Sequence, residues 1–197
     1  MTKIGVLYEC EETLNSNVLA IKQSFKKKNI KSYYLNHPVH ISAYVFQTKN
    51  YSLKKIAKDF KLLKFKISPV LSKINNWKIF ENDILTGLNT LCLEVELTNE
   101  LLNLQDQIVS SLYKYSIKNN ELELKAEFLK SYKKFGYPFV GKHWIPHITI
   151  GSFDLSLKEI ELSKEKEFSF PKKIVFDNFS LFHIEGDTHT LLEKIKF

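Results

Sequence analysis

The chain has 197 residues, 44% of them hydrophobic and 26% charged, with 6 Gly and 5 Pro. That balance supplies one compact core and excludes collagen-like, low-complexity and wholly disordered chains. The net charge is +7 and every one of the 29 cations is Lys, which suits a polyanionic partner but leaves no guanidinium fork for phosphate.

Any phosphate grip must therefore come from Lys, hydroxyls, imidazoles or backbone amides. No apolar run approaches the roughly 20 residues that cross a bilayer. The acidic stretch 9–12 directly follows the short apolar stretch 4–8, which argues against a secretory leader. Cys10 and Cys92 make no disulfide framework or thiolate metal site. They read as reduced thiols filling apolar space in a cytosol-like compartment, and the expected localisation is cytoplasmic.

A strand is expected over 3–9. Leu14, Val18, Ile21 and Phe25 form one helical stripe within 13–28, which ends in Lys26, Lys27 and Lys28. A second strand follows over 39–46. Ser52 is placed to cap a helix whose Leu53, Ile56, Ala57, Phe60 and Leu63 face inward. Residues 65–83 hold a strand and a loop. In 87–97, Leu93, Val95 and Leu97 alternate with Glu94 and Glu96 as a strand. Leu101, Ile108, Leu112 and Tyr115 mark a helix over 98–115. Asn119-Asn120 signals a turn, 122–134 a short helix, and Gly136, Pro138, Gly141 and Pro146 a loop. A strand over 145–153 precedes a capping box at Ser156 and Glu159. Residues 173–185 and 190–197 form a closing hairpin around Gly186-Asp187. This order is α+β. It reads as a single bilobal domain over 1–197 with weak internal repetition, each half carrying a His-bearing strand followed by a helix.

Two of the six histidines sit in apolar strands with a hydroxyl two residues later: His40-Ile41-Ser42 and His147-Ile148-Thr149. Strand side chains alternate, so His40 and Ser42 share a face about 6.6 Å apart, while Val39, Ile41, Ala43 and Val45 anchor the other. His147 and Thr149 repeat this against Ile148 and Ile150. Chance supplies about one His-x-Ser/Thr match in such a composition. Two copies, one per half and each just after a proline, exceed that.

The pair His40-x-Ser42 and His147-x-Thr149 resembles the twin motifs of the two-histidine (2H) phosphoesterase superfamily, which includes RNA 2′,3′-cyclic phosphodiesterases, also called 2′-5′ RNA ligases. The run from His143 through Trp144, Pro146, His147 and Thr149 to Gly151 is especially similar to the second motif. The resemblance spans nearly the whole chain. It implies a bilobal α+β two-histidine phosphoesterase fold, with two pseudo-symmetric antiparallel-sheet lobes, flanking helices and a cleft between the motif strands. It also implies that no metal and no cofactor are required. The chemistry is intelligible in itself: with an unperturbed pKa near 6.5, two imidazoles can hold opposite protonation states near neutrality. One takes a proton from the attacking oxygen and the other protonates the leaving oxygen. The hydroxyls of Ser42 and Thr149 donate to non-bridging phosphate oxygens.

Substrate-binding candidates are Tyr44, on the His40 face by alternation; Trp144, with Tyr137 and Phe139, in a loop over the cleft; Lys142, the nearest cation to the second motif; and Tyr8 on the first strand. His37 and His143 precede motif histidines, but no carboxylate or thiolate cluster joins them as metal ligands. His183 and His189 flank the final turn and read as surface residues. The Lys runs at 26–28, 54–55, 133–134 and 172–173 read as solvated ends that together attract RNA. The expected partner is an RNA or nucleotide substrate, with no membrane, no obligate protein partner and a monomeric state. The expected activity is a metal-independent cyclic phosphodiesterase. Its alternatives are a 2′-5′ oligoadenylate or cyclic-oligonucleotide phosphodiesterase, a non-catalytic RNA-binding module, and a metallohydrolase.

Overall fold

The computed structural model describes residues 1–118, 124–163, 171 and 173–197. The turn expected at Asn119-Asn120, and Lys172, lie outside the described residues. The strands are β1 (Thr2–Glu9), β2 (Ser32–Tyr33), β3 (His40–Thr48), β4 (Val70–Ser72), β5 (Ile74–Phe80), β6 (Asn89–Val95), β7 (His147–Phe153), β8 (Ile174–Phe176), β9 (Asn178–Glu185) and β10 (Thr188–Lys196). The helices are α1 (Glu12–Lys27), α2 (Leu53–Leu62), α3 (Asn99–Leu112), α4 (Ala126–Phe135) and α5 (Leu157–Ser163).

The main sheet runs β10-β9-β1-β3-β7-β6-β5, with β2 against β7, and every pairing is antiparallel. β4 and β8 form a separate two-stranded sheet. The β9–β10 hairpin closes around Gly186 as expected, while residues 174–176 leave it for this small sheet. The sheet's two halves join at a single β3–β7 pair, Ile41 opposite Ile148. The apolar stripe of α1 and Leu101, Leu104 and Ile108 of α3 are buried with Ile41, Ala43, Leu91, Leu93, Ile148 and Ile150 in one core cluster. Among the described residues no helix is long and apolar enough to cross a membrane.

Local signals behaved unequally. Thr98 caps α3, its Oγ1 accepting from the Leu101 amide at 3.1 Å. The Ser156 amide donates to Glu159 at 2.8 Å, forming the expected box. Ser52 caps nothing. It has helical dihedrals and ends a 3₁₀ turn, Asn50–Ser52, that runs straight into α2.

Two features position the cleft. The first is a pair of β-bulges. In β3, Ser42 pairs with Leu7 but Tyr44 pairs with Val6, leaving Ala43 extra. In β7, Thr149 pairs with Cys92 but Gly151 pairs with Leu91, leaving Ile150 extra. The bulges fall at the same place after each motif. The second is the coil of the sheet. On a flat sheet His189 shares a row with Lys3 and His40 shares one with Glu9, roughly 20 Å apart along the strands. Coiling brings these opposite corners together, so the His40 and His189 rings lie 5.5 Å apart.

Candidate active site

Each motif strand buries its isoleucine and turns its histidine and hydroxyl to the opposite face. Ile41 and Ile148 are 1% and 0% exposed, while His40, Ser42, His147 and Thr149 are half-buried. Antiparallel pairing at Ile41–Ile148 sets His40 towards Thr149 and Ser42 towards His147. All four groups therefore surround the junction of the two halves.

The imidazoles are held identically. His40 Nδ1 lies 2.8 Å from the Pro38 carbonyl and His147 Nδ1 lies 2.7 Å from the Ile145 carbonyl. A carbonyl only accepts, so each Nδ1 carries the hydrogen and each Nε2 is the working nitrogen.

The cross-strand neighbours also match. Glu9 lies opposite His40, and Glu94 opposite His147. Each carboxylate takes a lysine from the next part of the sheet: Lys194 pairs with Glu9, and Lys78 lies 3.1 Å from Glu94. Phe80 packs edge-on to His147 at 5.0 Å. The Cys92 thiol donates to Thr149 Oγ1 at 3.9 Å, and burial pushes that thiol's pKa up, which keeps it neutral.

No protein-family model matches the sequence, and no curated protein matches it either. Solved structures do match. TT0787 of Thermus thermophilus aligns with a TM-score of 0.63 at 15% identity, covering 98% of this chain and 97% of that one. E. coli LigT complexed with 3′-AMP aligns at 0.58 and 10% identity, covering 99% and 97%. Kluyveromyces marxianus Usb1 with uridine monophosphate aligns at 0.50 and 11% identity, covering 98% of each.

The chain has the two-histidine phosphoesterase fold. Within that fold, the first-half histidine sits among imidazoles and lysines. Burial lowers the His40 pKa to about 3, and His189, Lys22 and His37 press the same way. Burial also lowers that of His147, but Asp83 and Glu94 oppose the shift. The two halves of this two-histidine site are thus alike in shape and unlike in charge.

The loop before the first motif is pinned from beneath. Lys22 of α1 is 1% exposed, and its Nζ donates to the Tyr34 and His37 carbonyls, both at 2.9 Å. Burial lowers its pKa to about 8. Tyr34, the first of those anchors, takes a left-handed φ of 69°.

Three expected substrate contacts are placed elsewhere. The β3 bulge moves Tyr44 to the core face, where it is 0% exposed, stacks on Phe46 at 4.6 Å and donates to the Phe135 carbonyl. Tyr8 pairs with Ile41 and so shares its core face, 4.5 Å from the Phe176 ring. Trp144 is 3% exposed, and its indole N–H donates to the Ser42 carbonyl at 2.9 Å. It braces the first motif from the second instead of overhanging the cleft. Tyr137 and Phe139 likewise pack on each other, 5.5 Å apart. Lys142 is exposed on a 3₁₀ turn, Gly141–His143.

Other groups at the site are absent from the motif pattern. His189 is not a free surface residue but lies beside His40. Glu94 and Lys78 were legible: Glu94 alternates with buried Leu93 and Val95, so it had to face the motif side. Gln105 is fully buried on α3 and ties both motif approaches together. Its Nε2 donates to the Ala43 carbonyl at 3.0 Å and the Phe139 carbonyl at 3.1 Å, and its Oε1 accepts from the Gly141 amide at 3.0 Å.

Proposed function

We propose that this protein is a phosphodiesterase acting on RNA or nucleotide 2′,3′-cyclic phosphates by two-histidine general acid–base catalysis without a metal. The observation that carries the reading is the twin arrangement: two imidazoles, each tethered through Nδ1 to the carbonyl two residues before it, each with a hydroxyl on the same face, meeting at one junction.

In ring opening, one Nε2 takes a proton from water as its oxygen forms a bond to phosphorus. The other, protonated, Nε2 donates to the 2′ or 3′ oxygen as its bond to phosphorus breaks. Ser42 and Thr149 donate to the non-bridging oxygens, where negative charge builds. A ribose hydroxyl in place of water opens the ring in the same way, its oxygen bonding to phosphorus as the 3′ oxygen leaves, and so joins two strands through a 2′-5′ bond. The basic surface suits an RNA or nucleotide substrate, and the unpaired thiols suit a cytoplasmic setting.

The test is a panel assayed in EDTA: a 2′,3′-cyclic nucleotide, a 2′,3′-cyclic-ended RNA, a 2′-5′ oligoadenylate and a cyclic dinucleotide. Turnover that both His40→Ala and His147→Ala lose supports the reading and names the substrate class. An inert wild type, or variants with full activity, overturns it.

A further inference from the structure

We propose that His189 is a third imidazole of the site and binds the substrate phosphate on the His40 side, where Lys22 is committed to two carbonyls and Lys194 to Glu9. This rests on the phosphodiesterase reading.

The placement is built. His189 is the second residue of β10, at the corner of the sheet that coiling folds over the cleft. Its Nδ1 lies 3.2 Å from the Asp187 carbonyl, two residues earlier, which repeats the tether of His40 and His147. The ring sits between His37 at 4.9 Å, His40 at 5.5 Å and Phe182 at 6.1 Å. The turn that carries it is fastened to the loop before the first motif. His37 Nε2 donates to Asp187 Oδ1 at 2.8 Å, and Asn36 Nδ2 donates to Asp187 Oδ2 at 3.3 Å. Lys22 holds that loop from below.

His37 is thereby spent, since its Nε2 is committed to Asp187. Burial lowers its pKa to about 4 despite that carboxylate, so the contact is a hydrogen bond from a neutral ring. His189 Nε2 has no hydrogen-bond partner among the described residues. The charged and titratable groups acting on His189 are His40 of β3, His37 of the loop, Asp187 of the turn, Lys3 of β1 and Lys22 of α1. Asp187 is the one anion of that set, and its carboxylate is engaged. Burial is the chief cause that lowers the His189 pKa, which favours the neutral ring. An arriving phosphate supplies the missing negative charge and lets the ring take a proton. That proton disfavours a second one on His40, which keeps His40 the neutral member of the catalytic pair.

Sulfate is a suitable probe, because its charge is constant over the imidazole range. Its affinity is to be measured by calorimetry between about pH 5.5 and 7.5 for wild type, His189→Phe and His189→Gln, beside KM and kcat for a 2′,3′-cyclic nucleotide. Wild type should bind sulfate more tightly as pH falls. His189→Phe should bind about tenfold more weakly at the acid end and raise KM more than it lowers kcat. His189→Gln should recover part of the affinity but none of the pH slope, which a merely structural role would leave in place. Unchanged sulfate affinity, slope and KM in both variants overturn the proposal and leave the phosphodiesterase reading standing. A His189→Phe chain that fails to fold leaves the decision to the slope of His189→Gln. Absence of turnover in wild type overturns the function reading, whereas the sulfate titration still judges His189 as an anion-binding group.

Discussion

Ile41 lies directly opposite Ile148 at the one ladder pair between the two halves of the sheet, and each is the residue that follows a motif histidine. The buried joint and the chemistry are thus adjacent positions in the chain. Ile148→Ala should destabilise the fold by about 2–4 kcal/mol and Ile148→Val by about 1 kcal/mol. Urea unfolding checks the first expectation. A fall in kcat greater for Ala than for Val checks that the joint aligns the histidines.

The hydroxyls are separable from the imidazoles. Ser42→Ala and Thr149→Val should each lower kcat by about 10²-fold with little change in unfolding midpoint. Ser42→Thr, which keeps the donor, should retain most activity. Steady-state kinetics in EDTA decides this, and equal loss in Ser42→Thr would point to crowding instead of hydrogen bonding.

Beyond the joint, the free edge of β3 is satisfied by side chains. Trp144 donates to the Ser42 carbonyl and Gln105 to the Ala43 carbonyl. Gln105→Leu takes the partner from three backbone groups, one buried and two part-buried, and should cost about 3 kcal/mol, while Trp144→Phe takes it from one and should cost about 1–2 kcal/mol. Chemical denaturation ranks the two, and the reverse order would refute the accounting of partners.

Burial holds His37, His40, His147 and His189 below the ordinary imidazole pKa. The unfolded chain titrates these groups near 6.5. As pH falls through about 6.5, the unfolded chain takes up protons that the folded chain refuses, so stability falls. It continues to fall towards the depressed folded values, about 4 for His37 and about 3 for His40. Urea midpoints at a series of pH values should show this slope, and His40→Gln should flatten part of it.

The motifs, their strands, the core stripes and the α+β order were all legible, because each depends on local periodicity or on residue type. Tyr44 was misplaced because alternation counts residues while a bulge inserts one, and nothing at Ala43-Tyr44 marks the insertion. Tyr8 faces inward because it pairs with Ile41, a register fixed by partners far away in sequence. His189 was read as surface because its neighbourhood arises from the coil of four strands. The part of the site built within one strand was readable. The part assembled between strands, including the placing of Glu9 opposite His40 and of Glu94 opposite His147, needed the fold.

The side-chain caps on the β3 edge redistribute where this protein is vulnerable. Positions 105 and 144 never reach the cleft, yet they hold the backbone on which Ser42 sits. In a saturation scan scored by turnover, they should tolerate as few replacements as the histidines do. A gene copy with both motifs intact but an apolar residue at 105 would look competent in its signature and be inert in the tube.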